Sequence, residues 1–348
     1  MTHPTAATAA RIDTLRATLG DDLVIMGHHY QHDSVIRHVD LRGDSLELAR
    51  KVADIKAAHI IFCGVYFMAE SAALLARPGQ TVHLPEMDAN CVMSQMAPAA
   101  RVDAVLTRLA ASDRKIVPLA YVNTSLAVKA VVGRHGGAVC TSANARRMLQ
   151  WAQAQGDAVL FLPDKNLARN TADVLSIPEA QRFILDIRKE GEAFDTTAAQ
   201  AASLLIWPGC CAIHARFNTR QIATARTMHP GCLVAVHPEC DPAVVRAADS
   251  AGSTSHLINF TAQAPDGATV IIGTELNLVE RLAHEHAGRI TVLPLLESSC
   301  SHMARVTAPK LLRTLEAISN GNGAPVTVPF DLMSDARAAL TRMLEACA

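Results

Sequence analysis

The stretch LVIMGHHY (23–30) opens with an apolar run, Leu23 to His28, and continues through His29 to Tyr30. Apolar runs of this length, bounded by polar residues, are typical of buried β-strands. The same plan returns twice along the chain, as IVPLAY (116–121) and CLVAVH (232–237). A plan that recurs in this way predicts three related structural units.

Each of these strands is followed by a small polar pair that opens a helical pattern. The pairs stand where helix N-caps belong, and they are Asp44 with Ser45, Thr141 with Ser142, and Ser253 with Thr254. Asp44 and Glu47 also fit a capping box. A second apolar run follows at 59–65, 158–163 and 269–274, and a last run at 81–85, 203–209 and 291–296 stops just before a cysteine.

Strands that alternate with helices form βαβ units with parallel sheets. We therefore predict an α/β fold of three αβα subdomains with small parallel sheets, related by a pseudo-threefold axis around a central site. The expected subdomains span 1–105, 106–200 and 201–300, and C-terminal helices at 301–348 are expected to pack back on the core. Ligands bind outside the carboxyl ends of the strands in open α/β sheets, so the cysteines are expected to face one centre.

The composition limits the classes of function. Of 348 residues, 50% are apolar and only 4% aromatic, which suits parallel strands covered by Ala-rich helices. The net charge of -1 leaves no basic surface for nucleic acid. Residues 1–11 lack the pattern of an export signal, and no apolar stretch approaches the ~18 residues of a membrane span. We expect a soluble, cytoplasmic protein with no membrane or nucleic-acid partner.

Nine cysteines without a CxxC pair argue against a disulfide framework, a zinc ribbon or a ferredoxin-type cluster. Cys91, Cys211 and Cys300 each follow the last apolar run of a unit. Three thiolates suit a soft metal or an iron–sulfur cluster, and they leave one iron of a cubane open for catalysis. Four others, Cys63, Cys140, Cys232 and Cys347, are interpreted as small buried hydrophobes. Spacing alone does not choose between Cys210 and Cys211, and Cys240 is interpreted as a possible bystander.

Several polar residues are candidates for binding or proton transfer. Helix N-termini attract anions, so Ser45, Ser142 and Thr254 would suit a substrate with carboxylates or a phosphate, although simple capping explains them too. His28 and His237 stand at strand ends, while a lone histidine is more often structural. Glu239, with Tyr30, would transfer protons if burial raises the pKa of the glutamate. Lys165 is considered as a lysine that forms a Schiff base, but the sequence favours a loop lysine that pairs with Asp164.

Taken together, the motifs resemble the quinolinate synthase family over almost the entire chain. The matching blocks are HHYQ (28–31), GDSLELAR (43–50), FCGVYFMAES (62–71), YVNTS (121–125), CTSANA (140–145), FLPDKN (161–166), WPGCCAIH (207–214), HPEC (237–240), GST (252–254), GTE (273–275) and CSHM (300–303). The resemblance implies three αβα subdomains around a [4Fe-4S] cluster, held by Cys91, Cys211 and Cys300. It places Cys210 in a slot for a small residue and so assigns the ligand to Cys211.

The resemblance also implies an activity, the condensation of iminoaspartate with dihydroxyacetone phosphate to quinolinate, with loss of phosphate and two waters. It implies Glu239, Tyr30 and His214 as catalytic residues. The implied substrate-binding residues are His28, Ser45, Tyr121, Asn123, Ser142, His237, Ser253 and Thr254. Functional coupling to L-aspartate oxidase and a monomeric or homodimeric state are expected with it.

Three features depart from the family pattern: His29 stands where Tyr or Asn is common, Cys210 adds a thiol, and no CxxC precedes Cys300. Two other functions remain open at this point. One is a different [4Fe-4S] hydro-lyase acting on a small polycarboxylate. The other is a non-catalytic redox sensor, which would need a partner surface that the balanced charge does not indicate.

Overall fold

The structure is a computed structural model that describes residues 6–110, 114–188 and 195–348. The first five residues of the segment 1–11, on which the expectation of no export signal rests, lie outside the described residues. Within the described ranges, every helix is too short or too polar to cross a lipid bilayer.

The strands of the described residues form three separate sheets in which every pair is parallel. The first sheet has the order β2-β1-β3-β4, with β1 Leu23–His28, β2 Leu41–Gly43, β3 His59–Cys63 and β4 Thr81–His83. The second has the order β6-β5-β7-β9-β8, with β5 Ile116–Tyr121, β6 Ala138–Cys140, β7 Ala158–Leu162, β8 Arg182–Ile184 and β9 Leu204–Ile206. The third has the order β11-β10-β12-β13, with β10 Leu233–Val236, β11 Ser250–Ala251, β12 Thr269–Gly273 and β13 Thr291–Pro294.

Helices cover these sheets. The α-helices of the described residues are Ala6–Leu19, Asp33–Ile36, Ser45–Val52, Tyr66–Leu75, Val92–Gln95, Ala99–Leu109, Leu126–Arg134, Ala145–Gln153, Lys165–Val174, Thr196–Ala201, Thr219–Met228, Pro242–Ala247, Thr254–Gln263, Leu276–Glu285, Ala308–Ser319 and Phe330–Ala346. Short 3-10 helices span Gly20–Asp22, Glu179–Gln181, His214–Arg216 and Met303–Arg305. The predicted α/β class with small parallel sheets in three related units is confirmed.

The three runs with which the sequence repeat begins form β1, β5 and β10, each of which is an internal strand of its sheet, next to one edge strand. β1 and β5 have the predicted bounds, and β10 is one residue shorter at each end than the run at 232–237. Each is buried along nearly its whole length because helices cover both faces. The other six apolar runs also form strands, and all six strands are shorter than predicted.

Two of the three predicted helix starts are confirmed. Asp44 caps Ser45–Val52 in a capping box with Glu47, and the hydroxyl of Ser253 accepts the amide of His256 at the start of Thr254–Gln263. The third is wrong, since the helix after β6 begins only at Ala145.

The side chain of Asn144 explains this later start. Its Oδ1 turns back to accept the amide of Thr141 at 2.6 Å, which closes the turn in front of the helix. Thr141 and Ser142 therefore lie before the N-cap position, and Ser142 is left facing the cavity described below.

The C-terminal helices pack back on the first two units. Leu311 and Leu315 are buried with Ile12 of the N-terminal helix, and Leu340 and Met343 are buried in the large core that joins the first and second sheets. Helix Phe330–Ala346 crosses Leu126–Arg134 closely at Gly133. A Cβ added at Gly133 would lie 1.8 Å from the carbonyl oxygen of Asp335, so the crossing requires glycine.

The subdomain boundaries 1–105, 106–200, 201–300 and 301–348 remain a proposal. The second sheet includes β9, which pairs with β7 and begins after position 200. We therefore propose to extend the second subdomain to include this strand. The junction at 105/106 falls between the first and second sheets, within helix Ala99–Leu109, and the junction at 300/301 follows the last strand of the third sheet.

Candidate active site and metal centre

The carboxyl ends of β1, β5 and β10 meet at one cavity of about 110 Å³. His28 ends β1, Tyr121 ends β5 and His237 follows β10, so each unit contributes its strand end to the lining. All but one of the site residues inferred from sequence line the cavity: His28, Tyr30, Ser45, Cys91, Tyr121, Asn123, Ser142, Cys211, His214, His237, Glu239, Thr254 and Cys300. The described residues that line it do not include Ser253, whose hydroxyl is engaged as the cap of Thr254–Gln263.

Cys91, Cys211 and Cys300 are free thiols that line this same cavity, one from each unit. Burial raises the pKa of Cys91 to about 12 and raises the pKa of Cys211 and Cys300 as well. Proximity adds to the effect, since Cys300 raises the pKa of Cys91 and Cys91 raises that of Cys211. Buried neighbouring thiolates need a positive charge between them, which a metal supplies. The three thiols fit an iron–sulfur cluster in this respect.

A second group with possible metal-binding character adjoins the thiols. Ligand atoms of Cys211, His214 and Glu239 all lie within 4.8 Å of one another. Oε2 of Glu239 is 2.5 Å from Nδ1 of His214 and 3.6 Å from Nδ1 of His237. The two imidazole rings stack with centroids 4.3 Å apart. The carboxylate therefore lies against two histidines beside one of the candidate cluster ligands.

These neighbours set the ionisation of Glu239. Burial raises its pKa, but the imidazoles of His214 and His237 and a hydrogen bond from Tyr121 outweigh burial and lower the pKa to about 2. Burial thus acts in the expected direction, but the expectation of a raised pKa for this glutamate is wrong because its neighbours outweigh burial. Oε1 has no hydrogen-bond partner among the described residues and is buried. Glu239 is therefore a carboxylate with one oxygen free to accept a hydrogen bond from a ligand.

His28 and His237 are held in the same way in the first and third units. Nδ1 of His28 accepts a hydrogen bond from the amide of Tyr30 at 3.1 Å, and Nδ1 of His237 accepts one from the amide of Glu239 at 3.4 Å. Burial lowers the pKa of both imidazoles to about 3. A neutral imidazole whose Nδ1 accepts carries its proton on Nε2. Both side chains therefore offer an N–H donor, which suits the binding of carboxylates.

Hydroxyl groups form a network across the first and third units. The Tyr30 hydroxyl lies 2.8 Å from Oγ1 of Thr274 and accepts a hydrogen bond from Thr254 at 3.3 Å. Thr274 also contacts Nε2 of His214 at 3.1 Å. Burial raises the pKa of Tyr30 well above its usual value, so the phenol remains a neutral hydrogen-bond donor.

The groups suited to anions sit at helix starts and in a loop. Ser45 and Thr254 are the first residues of their helices, and Oγ of Ser255 donates to Asp44 at 2.9 Å, which links the two helix starts. Asn123 has a buried Oδ1 without a hydrogen-bond partner in the described part of the chain. Such an atom needs a partner, and a ligand in the cavity would supply one.

Three residues discussed from the sequence lie elsewhere. Cys210 is half-buried and Lys165 begins a helix, and the cavity-lining residues of the described chain include neither. His29 lies 3.8 Å from the carboxylate of Glu47, on the other side of the strand from its neighbour His28. Alternation along an extended backbone explains how His28 lines the cavity while His29 does not.

Sequence reasoning missed several residues that support the site. Nδ2 of Asn170 donates to the carbonyls of Pro238 and Cys240 at 2.7 and 2.8 Å, and Nδ2 of Asn166 donates to the carbonyl of Glu239 at 3.1 Å. Their i, i+4 spacing on one helix face was the available signal. His302, two residues after Cys300, also lines the cavity with an unpartnered Nδ1 among the described residues.

Lys129 is the other omission. It is completely buried, its Nζ donates to the carbonyl of Thr124 at 2.5 Å, and it lies over the ring of Phe67 at 5.3 Å. Burial lowers its pKa to about 8, although Glu70 acts in the opposite direction. This lysine fixes the loop that presents Tyr121 and Asn123 to the cavity. The sequence signal for this role was a lysine in the middle of an otherwise apolar stretch of helix Leu126–Arg134.

Three parallel α/β units that close on one thiol-lined, histidine-rich cavity define an α/β enzyme with a candidate metal centre. The sequence matches the family described as Quinolinate synthetase A protein over residues 10–345. Similar proteins named quinolinate synthase come from Geobacillus kaustophilus (42% identical over 339 residues, 96% of this chain and 92% of the relative), Corynebacterium glutamicum (42% over 339 residues, 96% and 86%) and Bacillus subtilis (41% over 338 residues, 96% and 92%). The chain belongs to the quinolinate synthase family.

Proposed function

We propose that this chain is a quinolinate synthase that condenses iminoaspartate with dihydroxyacetone phosphate, releasing phosphate and two waters. The observation that carries the proposal is the convergence of one cysteine from each unit on a cavity with donors for carboxylates and phosphate. The family and its similarly sized relatives support the same activity. The reaction belongs to NAD biosynthesis.

We propose that Cys91, Cys211 and Cys300 hold a [4Fe-4S] cluster. Their soft sulfur atoms, shared burial and position around one cavity support this assignment. When bound, the cluster supplies a Lewis-acidic iron at the position that no cysteine fills. Cys210, whose side chain is outside the cavity lining, is proposed to take no part in holding it.

The chain's own residues bind and orient the substrates in this proposal. Neutral His28 and His237 donate from Nε2 to substrate carboxylates. The helix starts at Ser45 and Thr254, together with Ser142, bind carboxylate or phosphate oxygens, and Ser253 orients Thr254 as the cap of its helix. Tyr121 and Asn123 hold the carbonyl end of the triose.

Proton transfer is assigned to Glu239, Tyr30 and His214. Glu239 is ionised, and its unpartnered Oε1 is the group proposed to accept a proton from the carbon that forms the new bond. His214, in contact with that carboxylate, orients it and shares the proton. Tyr30 remains neutral and donates to the carbonyl oxygen under attack.

The wider setting is also proposed. L-Aspartate oxidase would supply iminoaspartate, so the two enzymes are expected to be functionally coupled. The balanced charge supports a protein without a nucleic-acid partner, and the helices give no support for a membrane partner. We propose a monomer or homodimer in the cytoplasm.

The test uses anaerobically purified protein with measured iron and sulfide contents. Dihydroxyacetone phosphate is added with iminoaspartate generated in place by aspartate oxidase, and quinolinate is quantified by chromatography. Quinolinate formation that depends on both substrates is expected. An intact cluster with no quinolinate would reject the activity and favour another hydro-lyase, while a protein that holds only a single metal ion would reject the cluster.

A further inference from the structure

The three units share one connection between a strand and its cysteine. In each unit a five-residue strand is followed by one linking residue, an N-cap residue and a ten-residue helix; the helices are Tyr66–Leu75, Lys165–Val174 and Leu276–Glu285. The first amide of each helix donates to the carbonyl two residues before the cysteine. These bonds are Tyr66 to Ala89 at 2.9 Å, Lys165 to Gly209 at 2.9 Å and Leu276 to Ser298 at 3.0 Å.

In the second unit the N-cap residue also contacts the cysteine itself. Oδ1 of Asp164 accepts the amide of Leu167 at 2.7 Å, as an N-cap does. Oδ2 accepts the amide of Cys211 at 2.9 Å. The two oxygens of one carboxylate therefore tie the start of the helix to the backbone of a proposed cluster ligand.

The third unit repeats the arrangement with a longer side chain. Oε2 of Glu275 accepts the amide of Asn277 at 2.8 Å at the start of its helix, and Oε1 accepts the amide of Cys300 at 3.2 Å. Nδ2 of Asn277 donates to the same Oε1 at 3.0 Å. Glu275 therefore also uses one oxygen to cap its helix and the other to hold the cysteine backbone, although its side chain is longer than that of Asp164.

Capping alone does not explain these carboxylates. A serine at the N-cap satisfies a helix amide without bringing an ionisable group into the interior, as Ser125 and Ser253 do in this chain. Asp164 and Glu275 are both completely buried. Their advantage is a second acceptor oxygen, and in both units that oxygen is directed at a cysteine amide.

We propose that Asp164 and Glu275 are positioning residues that fix the backbone of Cys211 and Cys300 so that both sulfur atoms face the cluster site. The inference rests on the proposed function, since it gives the two cysteines the role of ligands. Partners that orient ligands in this way commonly change metal affinity without touching the metal. The first unit has Val65 at this position, whose side chain makes no capping hydrogen bond within the described chain.

Asp164→Asn separates the two tasks of the carboxylate. Asparagine is a good N-cap but has one acceptor oxygen, so the variant keeps the helix start and loses the bond to Cys211. We expect anaerobically purified Asp164→Asn to release iron to a chelator roughly 10-fold faster than the unsubstituted protein, the lower end of the range for such partners. The electron paramagnetic resonance spectrum of the reduced cluster should change as well. Asp164→Glu, which copies the third unit, should restore part of the difference.

Asp195→Ala is the matched control. Asp195 caps helix Thr196–Ala201 through the amides of Thr197 and Ala198 and is exposed to solvent. Its loss removes an equivalent cap away from every proposed ligand, so iron release and the spectrum should stay unchanged. Equal effects of both substitutions would mean that only helix capping matters and would overturn the inference.

Glu275→Gln provides a second, independent variant if Asp164→Asn does not fold. Iron release and spectra that match the unsubstituted protein in every folded variant would reject the positioning role while leaving the proposed function intact. An unsubstituted protein that holds no cluster would instead reject the proposed function, and with it the ligand role on which the inference rests. The two failures are therefore distinguishable.

Discussion

The loops that carry Cys91 and Cys211 reach the cavity by the same backbone path but are held by different forces. The Cys211 loop (207–211) is fixed by buried groups, namely Asp164 and Trp207, whose indole donates to the carbonyl of Met96 at 2.8 Å. A Cβ at Gly209 would lie 2.5 Å from the carbonyl oxygen of Pro163, so this loop also packs tightly on the helix start.

The Cys91 loop (84–91) relies on contacts nearer the surface. Glu86 pairs with Lys310, and the carbonyl of Asp88 accepts from Arg305 at 3.1 Å, so the C-terminal segment supports this loop from outside. This difference shows that the repeated units place each cysteine in the same way, whereas the contacts that support each cysteine loop differ. We expect the cysteines of both loops to be equally necessary for holding the cluster. We expect substitutions of the supporting residues to affect the Cys211 loop more than the Cys91 loop.

The largest expected effect tests whether the loops are equally necessary. Cys91→Ala and Cys211→Ala should each abolish cluster absorbance, because two thiolates do not retain a cubane that needs three. Cys210→Ala is the control and should keep the cluster, since its side chain is outside the cavity lining. Retention of the cluster in Cys211→Ala with loss in Cys210→Ala would reverse the ligand assignment.

The Cys211 loop also has a candidate general base beside it. Ligand atoms of Glu239, Cys211 and His214 lie within 4.8 Å of one another. Glu239→Gln keeps the size of the side chain but removes its capacity to take a proton. Turnover should fall by about 10²–10⁴-fold, the usual contribution of a general base, while iron content stays constant. Near-normal turnover would remove this residue from proton transfer.

His28 and His237, at the carboxyl ends of β1 and β10, should make the stability of the fold depend on pH. Their folded pKa of about 3 lies below the unfolded value of 6.5, so their stabilising contribution is complete above pH 6.5 and is lost as the pH falls toward 3. Each should reduce the free energy of unfolding by about 1.4 kcal/mol per pH unit in that window. Urea unfolding at pH 7, 6 and 5 would measure it. An unchanged slope in the double variant His28→Gln/His237→Gln would contradict the assignment.

The smallest expected effect concerns the outer support of the Cys91 loop. Lys310→Ala removes a partly exposed ion pair with Glu86, so it should cost less than about 1 kcal/mol of stability and leave iron release unchanged. Thermal unfolding and chelator assays, run beside Asp164→Asn, would compare the two loops directly. Faster iron release from Lys310→Ala than from Asp164→Asn would invert the comparison.

Much of the fold was predictable because its signals are local. The bounds of β1 follow from an apolar run between polar residues, and the positions of Cys91, Cys211 and Cys300 follow from their place after the last strand of each unit. The start of helix Ala145–Gln153 was missed because the side chain of Asn144 competed with the expected cap.

The electrostatics of the site were not predictable, because they depend on residues that are distant in sequence. The pKa of Glu239 is low because the loop after Cys211 brings His214 against it. Asp164 was considered in the sequence only as a partner of Lys165. The contacts of Asp164 and Glu275 with cysteine amides exist only once strand, helix and loop have packed together. The burial of Lys129 likewise depends on two units closing around one helix.

The central claim is that one cysteine from each unit holds a single cluster whose fourth iron is free for substrate. Mössbauer spectroscopy of anaerobically purified, ⁵⁷Fe-loaded protein with and without quinolinate tests it most directly. We expect about four cluster irons per chain, of which about one changes its parameters when quinolinate is added. Iron without a cubane signature, or a complete cluster in which no iron responds to quinolinate, would contradict the account.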